Sequence, residues 1–236
     1  MKASKIAAVI VWVSGLAVIA GAYLEARAES HSAVLNRIGN SQEVFHELMQ
    51  TPDKAIPREL LESAKCIAII PGEKKAAFIA GGSYGRGVAM CRTEKGWSGP
   101  IFLTIAEGSF GLQIGGTSTD LVLVFRNRDG FQRLLSDKFK IGADARAAAG
   151  PVGRTAAAAT DIEMHAEILT YSRSRGIFAG VSLEGSVVAP DHKADELLYG
   201  SKVDREAVLQ GKVPVPDPAQ SLVAEIARYT KPMKAS

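Results

Sequence analysis

Four titratable side chains crowd one short stretch of this chain: Asp161, Glu163, His165 and Glu167. Carboxylates beside an imidazole are the raw material of acid–base catalysis or of a metal site. On a strand, alternation would place all four on one face; on a helix, Asp161 and His165 would be neighbours. No second histidine stands at ligand spacing, because His31, His46 and His192 fall in segments that read as surface. The stretch therefore reads as the solvated polar face of a strand. Other catalytic patterns are weaker still. The run Gly81-Gly82-Ser83-Tyr84-Gly85-Arg86-Gly87 lacks the lysine and hydroxyl that a phosphate-binding loop places directly after its last glycine. Val88 and Ala89 follow and continue a strand, so the run reads as a strand crossing or bulge. Gly150-Pro151-Val152-Gly153-Arg154 lacks the strand-to-helix context of a dinucleotide site and reads as a bend in a sheet. Gly108-Ser109-Phe110-Gly111 is a near miss for a nucleophile elbow. The residues argue against an enzyme and call for no cofactor.

Binding chemistry is better represented. Arg173 and Arg175 flank Ser174 just after Tyr171, and Arg126 and Arg128 bracket Asn127. Lys74 and Lys75 fall in an expected turn between two strands, and Arg86 lies in the glycine run. A guanidinium is a planar fork matched to phosphate, and a lysine adds a point charge. On loops beside aromatics such groups suit a lipid headgroup. Taken singly each reads as a solvated loop residue, and only convergence in space would make a site. Two cysteines, Cys66 and Cys91, open one expected strand and close another. In an oxidising compartment they suggest a disulfide across a short sheet; two buried free thiols are the other reading.

The elements that must position these groups change period along the chain. Ser32 to Gln50 repeats Val34, Leu35, Ile38, Phe45, Leu48 and Met49 at helical spacing. Its polar face carries Glu43 and Glu47 against Arg37 alone, so it is expected to pack on the domain rather than lie on a membrane. A short helix starts at Ile56-Pro57. Strands are expected at Cys66–Ile70, stopped by Pro71-Gly72, and at Ala76–Ala80, Val88–Arg92, Ile101–Ala106, Ser109–Gly115 and Leu121–Phe125. Asn127 caps a helix to about Ser136. Thr155–Thr160 is alanine-rich, so propensity alone reads it as a helix continuing through Met164, with a strand as the other reading. Ala166–Tyr171 looks strand-like, Gly176–Val188 reads as a final strand or bent pair, and the chain turns helical after Asp191. Val213-Pro214-Val215-Pro216 reads as a stiff linker before a last helix opened by Asp217-Pro218. Short strands with glycine turns and helices at both ends make the class α+β, with a mostly antiparallel sheet or barrel-like core.

Lys2 and Lys5, the apolar run Ile6 to Leu24 and the small-x-small triplet Ala26-Arg27-Ala28 read as a signal peptide over residues 1–28, with a retained anchor helix as the alternative. The formal net charge is +3 over 236 residues. Removing Lys2, Lys5, Arg27 and Glu25 leaves 25 basic and 24 acidic residues, too even a balance for a global pull on nucleic acid. The remainder divides into a domain over 29–212 and a proline-rich linker with its helix over 213–236.

Several pieces stand in order: Ile69-Ile70-Pro71, Gly81-Gly82-x-Tyr84-Gly85-x-Gly87, Trp97-Ser98-x-Pro100, Gly108-x-x-Gly111-x-Gln113-x-Gly115, Asp120-Leu121-Val122, Gly150-Pro151-x-Gly153-Arg154 and Tyr171-Ser172-x-Ser174-x-Gly176-x-Phe178-x-Gly180. Together they resemble the SYLF domain family in its stand-alone exported bacterial form, over roughly Ala33 to Gly200. The resemblance implies a phospholipid-binding module. Eukaryotic members bind phosphoinositides and in some cases actin filaments, often beside SH3 or FYVE modules, and their first helix contributes to membrane contact. For an exported chain the expected partner is an anionic phospholipid or membrane surface, with Arg173, Arg175, Arg126, Arg128, Lys74 and Lys75 as headgroup contacts. The alternative is a structural module with an envelope protein as partner and no lipid.

Overall fold

The computed structural model describes residues 30–50, 55–76, 82–108, 118–152, 166–174, 177–200 and 202–230. Helix α1 (His31–Gln50) and α2 (Arg58–Ser63) precede β1 (Cys66–Ala76), β2 (Gly82–Thr93), β3 (Gly96–Trp97), β4 (Ile101–Gly108) and β5 (Ser118–Phe125). Then follow α3 (Arg128–Leu135), β6 (Phe139–Lys140), β7 (Ala147–Ala149), β8 (Ile168–Ser174), β9 (Ile177–Gly180) and β10 (Val187–Pro190). Helices α4 (His192–Tyr199) and α5 (Arg205–Leu209), a 3-10 turn (Asp217–Ala219) and α6 (Gln220–Arg228) close the described chain. The strands run in the order β6-β10-β4-β2-β1-β5-β8-β7, with β3 on β2 and β9 on β8. Pairing is antiparallel except for β7 with β8. The sheet curls into a half-barrel, and the α+β class stands.

Central strands buried on both faces explain the near-continuous apolar runs. In β1, Ile67 and Ile69 join Val88, Met90, Phe102, Val122, Val124, Leu169 and Tyr171 under α1, α4 and α6. Their neighbours Cys66, Ala68 and Ile70 join Ala89, Leu103, Leu121, Leu123, Phe125 and Ile168 on the opposite face, closed by Leu134 of α3 and by Val208 and Leu209 of α5. Helix α1 lies on the first face through Val34, Ile38, Val44, Phe45 and Leu48. At its far end α4 is pinned by Asp195, which accepts the Phe102 N–H at 2.7 Å and pairs with Arg205. Burial lifts the Asp195 carboxyl to about 6 against the pull of Arg205.

Several expectations hold and several are corrected. Leu121–Phe125 is a fully buried strand, and the Asn127 side chain accepts the Gly130 N–H at 2.9 Å to cap α3. Pro71-Gly72 does not stop β1. The register slips by one residue there, and Gly72 (φ 61°) puts its N–H on Asp120 at 2.8 Å. Such a bulge costs the ladder no donor at proline and lets the strand continue. Lys74 and Lys75 thus lie within β1, at register positions opposite Tyr84 and Ser83, and not in a turn. Gly82–Gly87 belongs to the same strand as Val88–Arg92; Gly87 is required because a Cβ there would sit 2.3 Å from the Ile69 carbonyl oxygen. Arg37 lies on the buried face of α1, only 6% exposed, not on its polar face. Ala77–Ala80, Ser109–Gly115 and Thr155–Thr160 lie outside the described residues. Val213–Pro216 runs against the body, with Val213 and Val215 packed on opposite cores, and α6 packs on α1.

The cysteines are joined. Both backbone groups of Cys91 bond Ser98, so Cys91 faces Cys66 as a non-hydrogen-bonded pair, the closer kind, and a disulfide links them with both residues buried. A second tight spot is the Gly150–Tyr171–Gly180 contact. A Cβ on Gly150 would lie 2.0 Å from the Tyr171 ring, and one on Gly180 would lie 2.4 Å from the Gly150 carbonyl oxygen.

Gly150→Ala should cost about 3 kcal/mol in a denaturant titration through overpacking. Gly39→Ala, on a helix with open space around it, should add about 0.5–1 kcal/mol. Replacing both cysteines by alanine should remove about 3 kcal/mol, the closure entropy of a loop with a sequence separation of 25.

Candidate functional site

One end of the sheet gathers guanidinium groups and aromatic rings on the face that α1 covers. Tyr84 and Arg86 alternate on β2 with Val88 and Met90, so all four share that face. Val88 and Met90 are buried, whereas Tyr84 is 47% exposed, the one exposed large hydrophobic among the described residues. Arg86 lies over the Tyr84 ring at 5.8 Å and its Nε donates to the Tyr84 hydroxyl at 3.1 Å. The stacked pair offers a guanidinium and an amphipathic ring at one place. Behind it, Arg37 lies over the Phe102 ring at 5.2 Å and pairs with Asp191 at 3.1 Å. Burial pulls the Arg37 guanidinium below its ordinary value, the Asp191 carboxylate pushes back, and the charge of Arg86 adds to the lowering.

On the same end, Arg173 of β8 sits opposite Asp120 of β5. Its Nε donates to Asp120 at 2.6 Å and its Nη1 pairs with Glu47 of α1. Desolvation lowers Arg173 and raises Asp120, as expected of charges drawn partly out of water. This arginine fastens α1 to the sheet.

The five of the six basic positions that lie among the described residues fall at two ends of the sheet. Lys74, Lys75 and Arg173 belong to the end just described. Arg126 follows β5 and Arg128 opens α3, at the opposite end, where Phe125 is opposite Cys66 and Ile168. Six residues of extended chain separate Asp120 from Arg126, about 20 Å. Arg175 lies outside the described residues, as do Asp161, Glu163 and His165. Glu167, read as part of a solvated face, is buried instead and pairs with Arg133 and Arg146. It leaves the polar face because it precedes β8 and hydrogen-bonds through its backbone to Arg126 and Arg146. The sequence names Arg86 among its binding cations but outside the expected headgroup contacts, and it does not single out Tyr84 as a site residue. Their signal was a Tyr-x-Arg alternation leading into Val88 and Met90.

Among the described residues no group of acidic, histidine and cysteine side chains could hold a metal ion, and no helix is long and apolar enough to cross a membrane. The family model Ysc84, whose description is Las17-binding protein actin regulator, matches residues 106–229. Protein YSC84 of Saccharomyces cerevisiae is 33% identical over 175 residues, 72% of this chain and 37% of that protein. LAS seventeen-binding protein 3 of the same yeast is 34% identical over 168 residues, 70% of this chain and 36% of its own length. Human SH3 domain-containing YSC84-like protein 1 is 32% identical over 184 residues, 76% of this chain and 53% of that protein. The chain belongs to the Ysc84 family. It spans about a third to a half of the length of these relatives. The Ysc84 match contains Asp120, Gly150, Tyr171 and Arg173, the residues that tie α1 and β7 to the sheet.

Arg173→Ala should lower stability by about 2 kcal/mol, the scale of hydrogen bonds to charged groups. It should also speed amide hydrogen exchange in the second half of α1 while β1 and β5 stay protected. Unchanged exchange around Glu47 would remove the fastening role.

Proposed function

We propose that this chain is a phospholipid-binding protein of the cell envelope that contacts anionic headgroups and does not turn the lipid over. The observation that carries the reading is the exposed Tyr84 with Arg86 on its ring. A tyrosine of this kind suits the boundary between headgroups and acyl chains, and the guanidinium beside it suits a phosphate. Lys74 and Lys75, at the neighbouring register positions of β1, add charge to the same end. The resemblance to SYLF lipid-binding domains supports the ligand class. Export is supported by Lys2, Lys5, the apolar run to Leu24 and the triplet Ala26-Arg27-Ala28, and by the Cys66–Cys91 bond, since such bonds persist in oxidising compartments. Arg173 ties α1 to the sheet through Asp120 and Glu47, so we assign headgroup contact at this end first to Arg86, with Lys74 and Lys75 proposed from their register positions alone.

The family description, a Las17-binding protein, favours a second reading: an envelope protein-interaction module without lipid. Co-sedimentation of the chain from Glu29 onward with neutral and anionic vesicles, at low and high salt, separates the two. Binding that is selective for anionic vesicles, weakened by salt and reduced about tenfold or more by Tyr84→Ala/Arg86→Ala is the expected result. Absence of binding to every vesicle at low salt would leave the protein-interaction module.

A further inference from the structure

At the other end of the sheet the geometry points to a second, separate anion site: Arg133 and Arg146, oriented by the buried carboxylate of Glu167, form a fork for an oxoanion of the phosphoryl type. The backbone assembles it. The Glu167 N–H donates to the Arg146 carbonyl at 2.8 Å, and the Glu167 carbonyl accepts the Arg126 N–H at 2.9 Å. Two arginines on adjoining segments are thereby set on either side of one glutamate. Helix α3 brings Arg133 from a third direction.

The Glu167 side chain is 8% exposed, with Oε1 3.5 Å from Arg146 Nη2 and Oε2 3.9 Å from Arg133 Nε. The second contact is beyond hydrogen-bond length, and Arg133 Nε and Glu167 Oε2 are each buried without a hydrogen-bond partner. The two atoms face each other, so this contact is held by charge and not by a hydrogen bond. One carboxylate cannot neutralise two guanidinium groups. Asp129 on the first turn of α3, Asp137 and Asp144 are exposed acids near these groups along the chain, and Asp144 already accepts the Lys140 N–H at 2.7 Å. Arg146 is 73% exposed and Arg133 38%, so both keep N–H groups toward solvent. Planar forks already aimed by a shared carboxylate bind tetrahedral oxoanions with little further ordering. Glu167 acts here as a positioning residue that also competes with the ligand for its two arginines.

This site lies at the far end of β5 from the Tyr84–Arg86 pair, about 20 Å along the strand direction. It does not rest on the lipid reading. A phosphoryl oxoanion can come free in solution or on a lipid headgroup, and the test has an arm for each. The protein is titrated with inorganic phosphate against chloride at matched ionic strength, following amide chemical shifts. In parallel it is sedimented with phosphatidylcholine vesicles with and without phosphatidylglycerol. Saturable shifts are expected at Arg126, Arg146 and Glu167. Arg146→Ala, an exposed substitution, should weaken them about tenfold, as the loss of a charged hydrogen bond does. Glu167→Gln should strengthen phosphate binding, which loss of a merely structural ion pair would not do; should that variant fail to fold, Arg146→Ala decides alone. Tyr84→Ala/Arg86→Ala should leave the phosphate shifts unchanged. Loss of phosphate shifts in Arg146→Ala with vesicle binding intact identifies a free phosphoryl ligand. Loss of vesicle binding alone identifies a headgroup. Absence of saturable shifts, with vesicle binding unaltered in Arg133→Ala/Arg146→Ala, overturns the site.

Discussion

The carboxylate of Asp120 holds four elements in place. It takes the N–H that the β1 bulge frees at Gly72 and the Nε of Arg173 on β8, and Arg173 in turn grips Glu47 on α1. Without this link the bulge would leave a backbone donor half-buried and unmatched, and the second half of α1 would lose its ion pair to the sheet, keeping its apolar contacts and the His46–Glu225 contact to α6. The cost of drawing Asp120 and Arg173 out of water, visible in their opposed shifts, is offset by their mutual pairing together with the Gly72 N–H on Asp120 and Glu47 on Arg173. The acidic face of α1, unsuited to an anionic membrane, serves inside the fold as the counter-charge to a sheet arginine.

The two ends of the sheet differ in the side chains they gather. The α1 face ends in Tyr84 and Arg86, where helical cover gives out before the strand does. The α3 side ends in Glu167 with its arginines. Both ends are rich in cations, yet they differ in kind. One joins a guanidinium to an exposed ring and suits an amphiphile. The other joins guanidinium groups to a buried acid and suits a compact charge. A chain with nearly balanced charge achieves this by placing its acids under its arginines, not by accumulating positive residues.

Local signals were legible wherever one residue settles its own neighbourhood. The helical period of α1, the apolar run of β5 and the cap at Asn127 needed no distant partner. The failures share a cause. Pro71-Gly72 reads as a stop unless a residue far along the chain, Asp120, is known to receive the Gly72 N–H. Gly82 to Gly87 reads as a strand crossing or bulge, and its place as the first half of β2 shows only once Ile69 is known to press on Gly87. Arg37 reads as surface until Asp191 and Phe102 close around it. Site residues fared likewise: Arg173 was visible as a cation, but its partners on β5 and α1 turn it into a fastening. Arg126 and Arg128 looked equivalent to Lys74 and Lys75 because sequence carries no sense of which end of a strand a residue occupies.

The contact among Gly150, Tyr171 and Gly180 carries a consequence for how this chain can vary. A methyl at Gly150 presses on a side chain, so a smaller residue at 171 could in principle make room for it. A methyl at Gly180 presses on the backbone of Gly150 itself, which no substitution can shrink. Divergence at these positions is therefore ordered. Position 150 can drift only after 171 has given way, and position 180 stays closed until β7 itself is rebuilt.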